Sequence, residues 1–193
     1  CGLETLEFRA TTTGDSFQLD LAAPLRVIDA TLDGEPVETD HVGKDLVVTA
    51  PVEADREYTF VLRYAGRPKP VKAPTTRSDF STTGWTVSDS GAVWTMQEPY
   101  GAYTWYAVND QPSDKALYDF TVRVAAPWVG ITNGLLESRE VVDGQTVTVK
   151  GRAERFTVKG PVAVMSGTTS SAIDPQNASR ALLLGLDASP AQT

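Results

Sequence analysis

The chain has 193 residues, 41% hydrophobic and 22% charged, with a formal net charge of −8. That composition is globular, the length suffices for a sizeable core without staples, and no apolar run approaches the roughly 18 residues of a membrane span. Scattered Lys and Arg on an acidic chain lack the clustered basic footprint of a nucleic-acid surface, and a single cysteine, Cys1, excludes an intrachain disulfide.

A cysteine at the first position fits the lipid-bearing residue of a processed lipoprotein. Strand-like sequence starts already at Thr5, leaving no tether to clear a membrane, so the preferred reading is a chain cut from something longer. The compartment, cytoplasmic or secreted, stays open.

From Thr5 to Tyr64 the pattern is short strands between turns. Phe17, Leu19 and Leu21 alternate with polar residues, as do Tyr58, Phe60 and Leu62, the period of two that puts one face on a core. Val27–Leu32 leads into Asp33-Gly34, and Leu46–Thr49 follows Gly43-Lys44-Asp45, punctuation that suits tight turns. "GRPKPVKAPTTR", residues 66–77, has three prolines, four basic residues and no periodicity, which predicts an exposed, extended connection. A strand over Ala92–Gln97 follows. Then come Asp119–Val124, Val129–Ile131 before Asn133-Gly134, and a hairpin across Asp143-Gly144 that pairs Glu140–Val142 with Thr146–Lys150. Arg155–Lys159 and Val162–Met165 supply two last strands. Asp174, Pro175 and the stripe Ala178, Ala181, Leu182, Leu186 predict a short C-terminal helix. The expected fold is all-β, a sandwich of mostly antiparallel strands over residues 1–166, with a linker and helix over 167–193.

The only histidine, His41, precedes a turn and reads as an exposed turn residue. One histidine rules out an H-E-x-x-H zinc helix or a histidine-based triad within this chain, and no phosphate-cradling glycine loop is present. The anomaly is aromatic: residues 80–120 hold nine of the sixteen aromatic side chains. Core filling is the plain reading of Trp94, Trp105 and Tyr106, and of Tyr118 a ring that holds the segment on the sandwich. Capping of backbone amides around Pro112 is the plain reading of Asp110, Asp114 and Lys115. Glu98, at the end of a strand and beside aromatic rings, suits a solvated loop position or a cation ligand equally well.

"TMQEPYGAYTWYAVNDQPSDKALYDF" resembles the amino-terminal domain of the zinc aminopeptidases of the aminopeptidase N and leukotriene hydrolase family. Glu98-Pro99, Ala102, Tyr106, Asp110, Pro112 and Lys115 occupy the family's places in register. "GLETLEFRATTTGDSFQLDL", "VIDATLDGEPV", "YTFVLRYAGRP" and "ITNGLL" look like its strands and turns, so the resemblance runs over about residues 2–150. Four positions depart: Met96 stands where the family has glutamine, with Gln97 adjacent; Tyr103 stands for an arginine; and Ala107-Val108 replaces a Pro-Cys step. The family's first strand is missing before Gly2.

The resemblance implies a saddle-like β-sandwich packed on a catalytic domain of the same or a companion chain. It implies that Glu98, with Gln97 and Met96, binds the substrate's free amino terminus, while Trp105, Tyr106, Asp110, Pro112 and Lys115 shape the loop. Zinc is expected in the catalytic domain and no cofactor in this chain, which by itself is expected to be inactive. The competing reading is a stand-alone binding module for carbohydrate or a protein partner.

Overall fold

Tyr58, Phe60, Leu62 and Tyr64 are buried on one side of a single strand, while Glu57, Thr59 and Arg63 face solvent on the other. This alternation repeats through the computed structural model, which describes residues 1–74 and 81–151. The strands are β1 (Gly2–Arg9), β2 (Gly14–Asp20), β3 (Leu25–Leu32), β4 (Glu35–Pro36), β5 (Glu38–Val42), β6 (Asp45–Val52), β7 (Glu57–Gly66), β8 (Val71–Lys72), β9 (Thr82–Val87), β10 (Val93–Met96), β11 (Phe120–Ala125), β12 (Leu135–Val142) and β13 (Gln145–Gly151). The one helical element among the described residues is a 3-10 turn at Ala102–Thr104, and no described helix is long and apolar enough to cross a membrane.

The chain divides into two compact units, Cys1–Leu117 and Tyr118–Thr193. In the first, a sheet of order β1-β7-β3-β4 and a sheet of order β2-β6-β5 bury their inner faces together, an antiparallel sandwich. Leu62, Phe60 and Leu25 of one sheet meet Leu46 and Val48 of the other. Phe17 of β2 packs edge-on against Phe60 of β7, ring centres 5.4 Å apart, so rings from both sheets close the core. Asp33 and Gly34 both have positive φ, 51° and 88°, the backbone that a two-residue hairpin between right-twisted strands requires.

A third sheet, β10-β9-β8, completes this unit. Here the sequence expectation for residues 66–77 changes. Val71–Lys72 pairs with Thr82–Thr83, and Ala73 is buried, because an edge strand needs only one partner and tolerates flanking prolines. His41 also differs from expectation: it lies in β5, half-buried, with Nε2 donating to the Leu21 carbonyl at 2.7 Å.

The second unit is the sheet β11-β13-β12. Its Asp143-Gly144 turn has φ of 49° and 73° and joins β12 to β13 as expected. Val129–Ile131 forms no strand; β12 instead begins at Leu135, directly after Asn133-Gly134. The strands expected at Arg155–Lys159 and Val162–Met165, the boundary at 166 and the C-terminal helix lie outside the described residues.

Candidate functional site

The aromatic segment belongs to the sandwich by its backbone. Ala22 N–H donates to Tyr103 O at 2.9 Å, and Asp20 and Val108 exchange bonds of 2.7 and 3.0 Å. Below it, two polar groups from the sheet reach up. Glu4 of β1 accepts from Ala107 N–H at 3.0 Å, and Tyr64 of β7 donates its hydroxyl to Trp105 O at 3.0 Å. Burial pushes the Glu4 carboxyl up to about 7, against which the Ala107 bond pulls down. Burial, and then the Glu4 charge, raise the Tyr64 phenol as well.

Between β10 and the 3-10 turn the chain makes a short loop, residues 97–101, with Glu98 exposed on it. The loop's backbone is held from outside. Thr83 of β9, 1% exposed, places its hydroxyl 2.6 Å from Met96 O and 2.7 Å from Tyr100 O. Thr104, fully buried, donates to Gly101 O at 2.6 Å and accepts from Trp85 N–H at 3.0 Å. Gly101 N–H donates to Asp110 Oδ2 at 2.8 Å. Carbonyls so bonded escape the penalty of an unsatisfied acceptor, and a loop so held loses less entropy when it binds.

Gln97 accepts from the Trp105 indole N–H at 2.7 Å, and Trp105 packs against Trp85 at 5.8 Å and edge-on against Tyr106 at 4.6 Å. A row of rings therefore props the residue before Glu98. Met96 is half-buried, and the Glu98 carboxylate has no hydrogen-bond or ion-pair partner among the described residues. Gln97 beside it is thus tied to Trp105 while Glu98 faces water.

Other expectations need correction. Trp94 is 49% exposed and fills no core; it lies on β10, an edge strand of its three-stranded sheet. Trp105 is half-exposed rather than buried, and Tyr106 packs against the sandwich core from its margin. Tyr118 falls in the second unit, 41% exposed and stacked on Phe120 at 5.6 Å. Asp110 caps an amide nine residues back and Asp114 accepts from the Asn109 side chain at 2.7 Å, rather than either capping amides around Pro112. Pro112 and Lys115 are exposed.

Thr83, Thr104, Glu4 and Tyr64 carry the loop's support and were not singled out from the sequence. The one signal available was Gly84 inside a strand, which marks close backbone approach: a Cβ there would lie 2.4 Å from Thr104. Zinc takes three or four histidine, cysteine or carboxylate ligands, and no group of three such residues lies together among the described ones. The described residues therefore do not fit a zinc centre.

No protein-family model and no curated protein matches the chain. Solved structures do. A mutant of the M1 zinc metallopeptidase from Deinococcus radiodurans bound to a Tyr-Ser-Ala substrate is 25% identical over 77% of this chain, with a TM-score of 0.68. A two-domain M1 zinc metallopeptidase mutant bound to L-arginine is 25% identical over 78%, with a TM-score of 0.70. Aminopeptidase A of Legionella pneumophila, bound to aspartic acid, shares the fold at 15% identity and a TM-score of 0.61 over 78% of this chain and 17% of its own. The chain spans about a third, 34%, of the first two. In fold and in a quarter of its aligned residues the chain is similar to the M1 zinc metallopeptidases, and it resembles the amino-terminal domain of the zinc aminopeptidase family.

Proposed function

We propose that this chain is the non-catalytic amino-terminal domain of a zinc aminopeptidase and that its Glu98 loop binds the free α-amino group of a peptide substrate. One observation carries the reading: Glu98 is exposed and without a partner among the described residues, on a loop whose backbone at Met96, Tyr100 and Gly101 is bonded by side chains outside it. A carboxylate about 4 Å from an ammonium gains ~1 kcal/mol in water and roughly 4 kcal/mol at the effective dielectric of a protein cleft. Covering the loop with a catalytic domain therefore turns a weak solvated contact into selection for substrates with a free amino terminus.

Hydrolysis would belong to a zinc-bearing catalytic domain, whose metal would supply Lewis-acid chemistry and an activated water. This chain binds and orients. The test combines the chain with such a catalytic domain and follows an aminoacyl p-nitroanilide. Glu98→Gln is expected to raise KM about tenfold with a smaller change in kcat, and an N-acetylated substrate to gain nothing from an intact Glu98. An unchanged KM in Glu98→Gln sinks the assignment.

The exposure of Trp94, 49%, favours a second reading, a platform for a sugar or a protein partner. Stacking on a sugar wants rings lying flat on one face. The pairs Trp85–Trp105 and Trp105–Tyr106 are instead inclined at 46° and 79°, which counts against it. Quenching of Trp94 fluorescence by an oligosaccharide, abolished in Trp94→Ala, would bring this reading forward.

A further inference from the structure

We propose that Thr83 is the positioning residue of the Glu98 loop: its one hydroxyl, reaching the carbonyls of Met96 and Tyr100, fixes both ends of the turn that presents the carboxylate. The inference rests on the reading of Glu98 as the amino-terminus ligand. Met96 and Tyr100 are the residues two before and two after Glu98, so a single buried oxygen sets the span of the five-residue segment. At 2.6 and 2.7 Å the two contacts share one proton as a three-centre bond. Thr83 is itself held in β9, two strands deep, where Val71 pairs with it and Ala73 N–H bonds Ser81 O next to it. The loop thus inherits the rigidity of a sheet, although Glu98 lies outside every strand.

The geometry leaves no room for substitutes. A Cβ on Gly101 would come within 2.6 Å of the Thr83 hydroxyl, so the loop is already seated as closely as backbone allows. Neighbouring Thr104 does not duplicate the role: its hydroxyl bonds Gly101 O and Trp85 N–H, beyond the end of the turn. Met96 also pairs with Gly84 in the β9–β10 ladder and Gly101 is held by Asp110 and Thr104, so losing Thr83 removes the link between the Met96 and Tyr100 carbonyls and loosens the turn between two ends that stay anchored. Its effect on substrate is exerted through the place of Glu98 and not by touching the ligand.

The experiment uses the full chain with Thr83→Val, which keeps the shape and removes the donor, and Thr83→Ser, which keeps the donor. Should Thr83→Val fail to fold, Thr83→Cys, with its weak S–H donor, takes its place. Amide hydrogen exchange at Gly101, read on the chain alone, is expected to quicken roughly tenfold in Thr83→Val and to stay within about twofold of wild type in Thr83→Ser. With the catalytic domain added, KM for the aminoacyl p-nitroanilide is expected to rise about tenfold in Thr83→Val with kcat nearly unchanged, and to be restored in Thr83→Ser. The Gly101 amide is bonded to Asp110 Oδ2 and so reports opening of the turn as a whole; unchanged exchange there, with unchanged carbonyl carbon shifts at Met96 and Tyr100, overturns the clamp. Faster exchange with unchanged KM, while Glu98→Gln still raises KM, overturns the positioning role and leaves the Glu98 reading standing. If neither variant moves KM, the Glu98 reading falls and the positioning role falls with it.

Discussion

Glu4→Gln is expected to stabilise the protein at pH 8 by about 2 kcal/mol and to leave it nearly unchanged at pH 4. The Glu4 carboxyl, pressed under Ala107 and beside Tyr64, is raised from 4.5 to about 7, chiefly by burial. Below pH 4.5 it is protonated in folded and unfolded chains alike, and burial costs nothing in charge. Between 4.5 and about 7 the unfolded chain gives up its proton while the folded one keeps it, so stability falls as pH rises. Above 7 the loss is complete. At ~1.4 kcal/mol per pH unit it amounts to about 3 kcal/mol, which partial exposure trims. Glutamine keeps an oxygen for the Ala107 N–H and never ionises, although its NH₂ needs a partner of its own. Denaturant midpoints at pH 4, 6 and 8 isolate the effect, because other titrating groups are common to both proteins. Parallel curves for wild type and variant would refute the account. Glu4→Ala differs in kind: it orphans the buried Ala107 amide and is expected to cost about 1–3 kcal/mol even at pH 4.

Gly101→Ala is expected to destabilise by about 3 kcal/mol and to displace the Glu98 loop. Gly101 sits at φ 140°, where a side chain is strained, and a Cβ would meet Thr83 Oγ1 at 2.6 Å, Gly84 N at 2.9 Å and Met96 O at 3.1 Å. Backbone strain accounts for roughly 1–3 kcal/mol and overpacking for a further ~1–3 kcal/mol. Two of the three obstacles are backbone atoms, which cannot swing aside. Gly91 gives the control. Its φ of 81° is equally unusual, yet no atom lies within 4 Å of the added Cβ, so Gly91→Ala isolates the backbone cost at about 1 kcal/mol. Thermal unfolding of the two variants side by side checks the difference, and equal losses would mean that the close seating of Gly101 contributes nothing.

The sandwich strands could be read because their physics is local. A strand with one face in water must alternate, as Tyr58, Phe60, Leu62 and Tyr64 do, and a two-residue hairpin needs positive φ, which Asp33-Gly34 and Asp143-Gly144 supply. β8 and β5 were not legible on the same grounds. Val71–Lys72 is too short for any period, and β5, "ETDHV", is an edge strand with four polar residues of five and no apolar alternation to read. The exposure of Glu98 and its place after a strand were likewise within reach of the sequence.

The sequence by itself determined the alternation that makes this an all-β chain, the hairpin turns, and a glutamate after a strand in an aromatic segment resembling a peptidase loop. Only the tertiary structure decided what holds that carboxylate in place. Thr83 is 13 and 17 residues from the carbonyls it bonds, and Glu4 is 103 residues from its amide. Such bonds depend on which faces the sheets bring together, and a threonine or glutamate carries no local pattern that distinguishes a buried clamp from a surface residue. The same reason separates Trp94 from Trp105. One indole lies on an open edge strand and the other finds Gln97 and Tyr106, a difference made by neighbours distant in the chain and absent from the residues on either side.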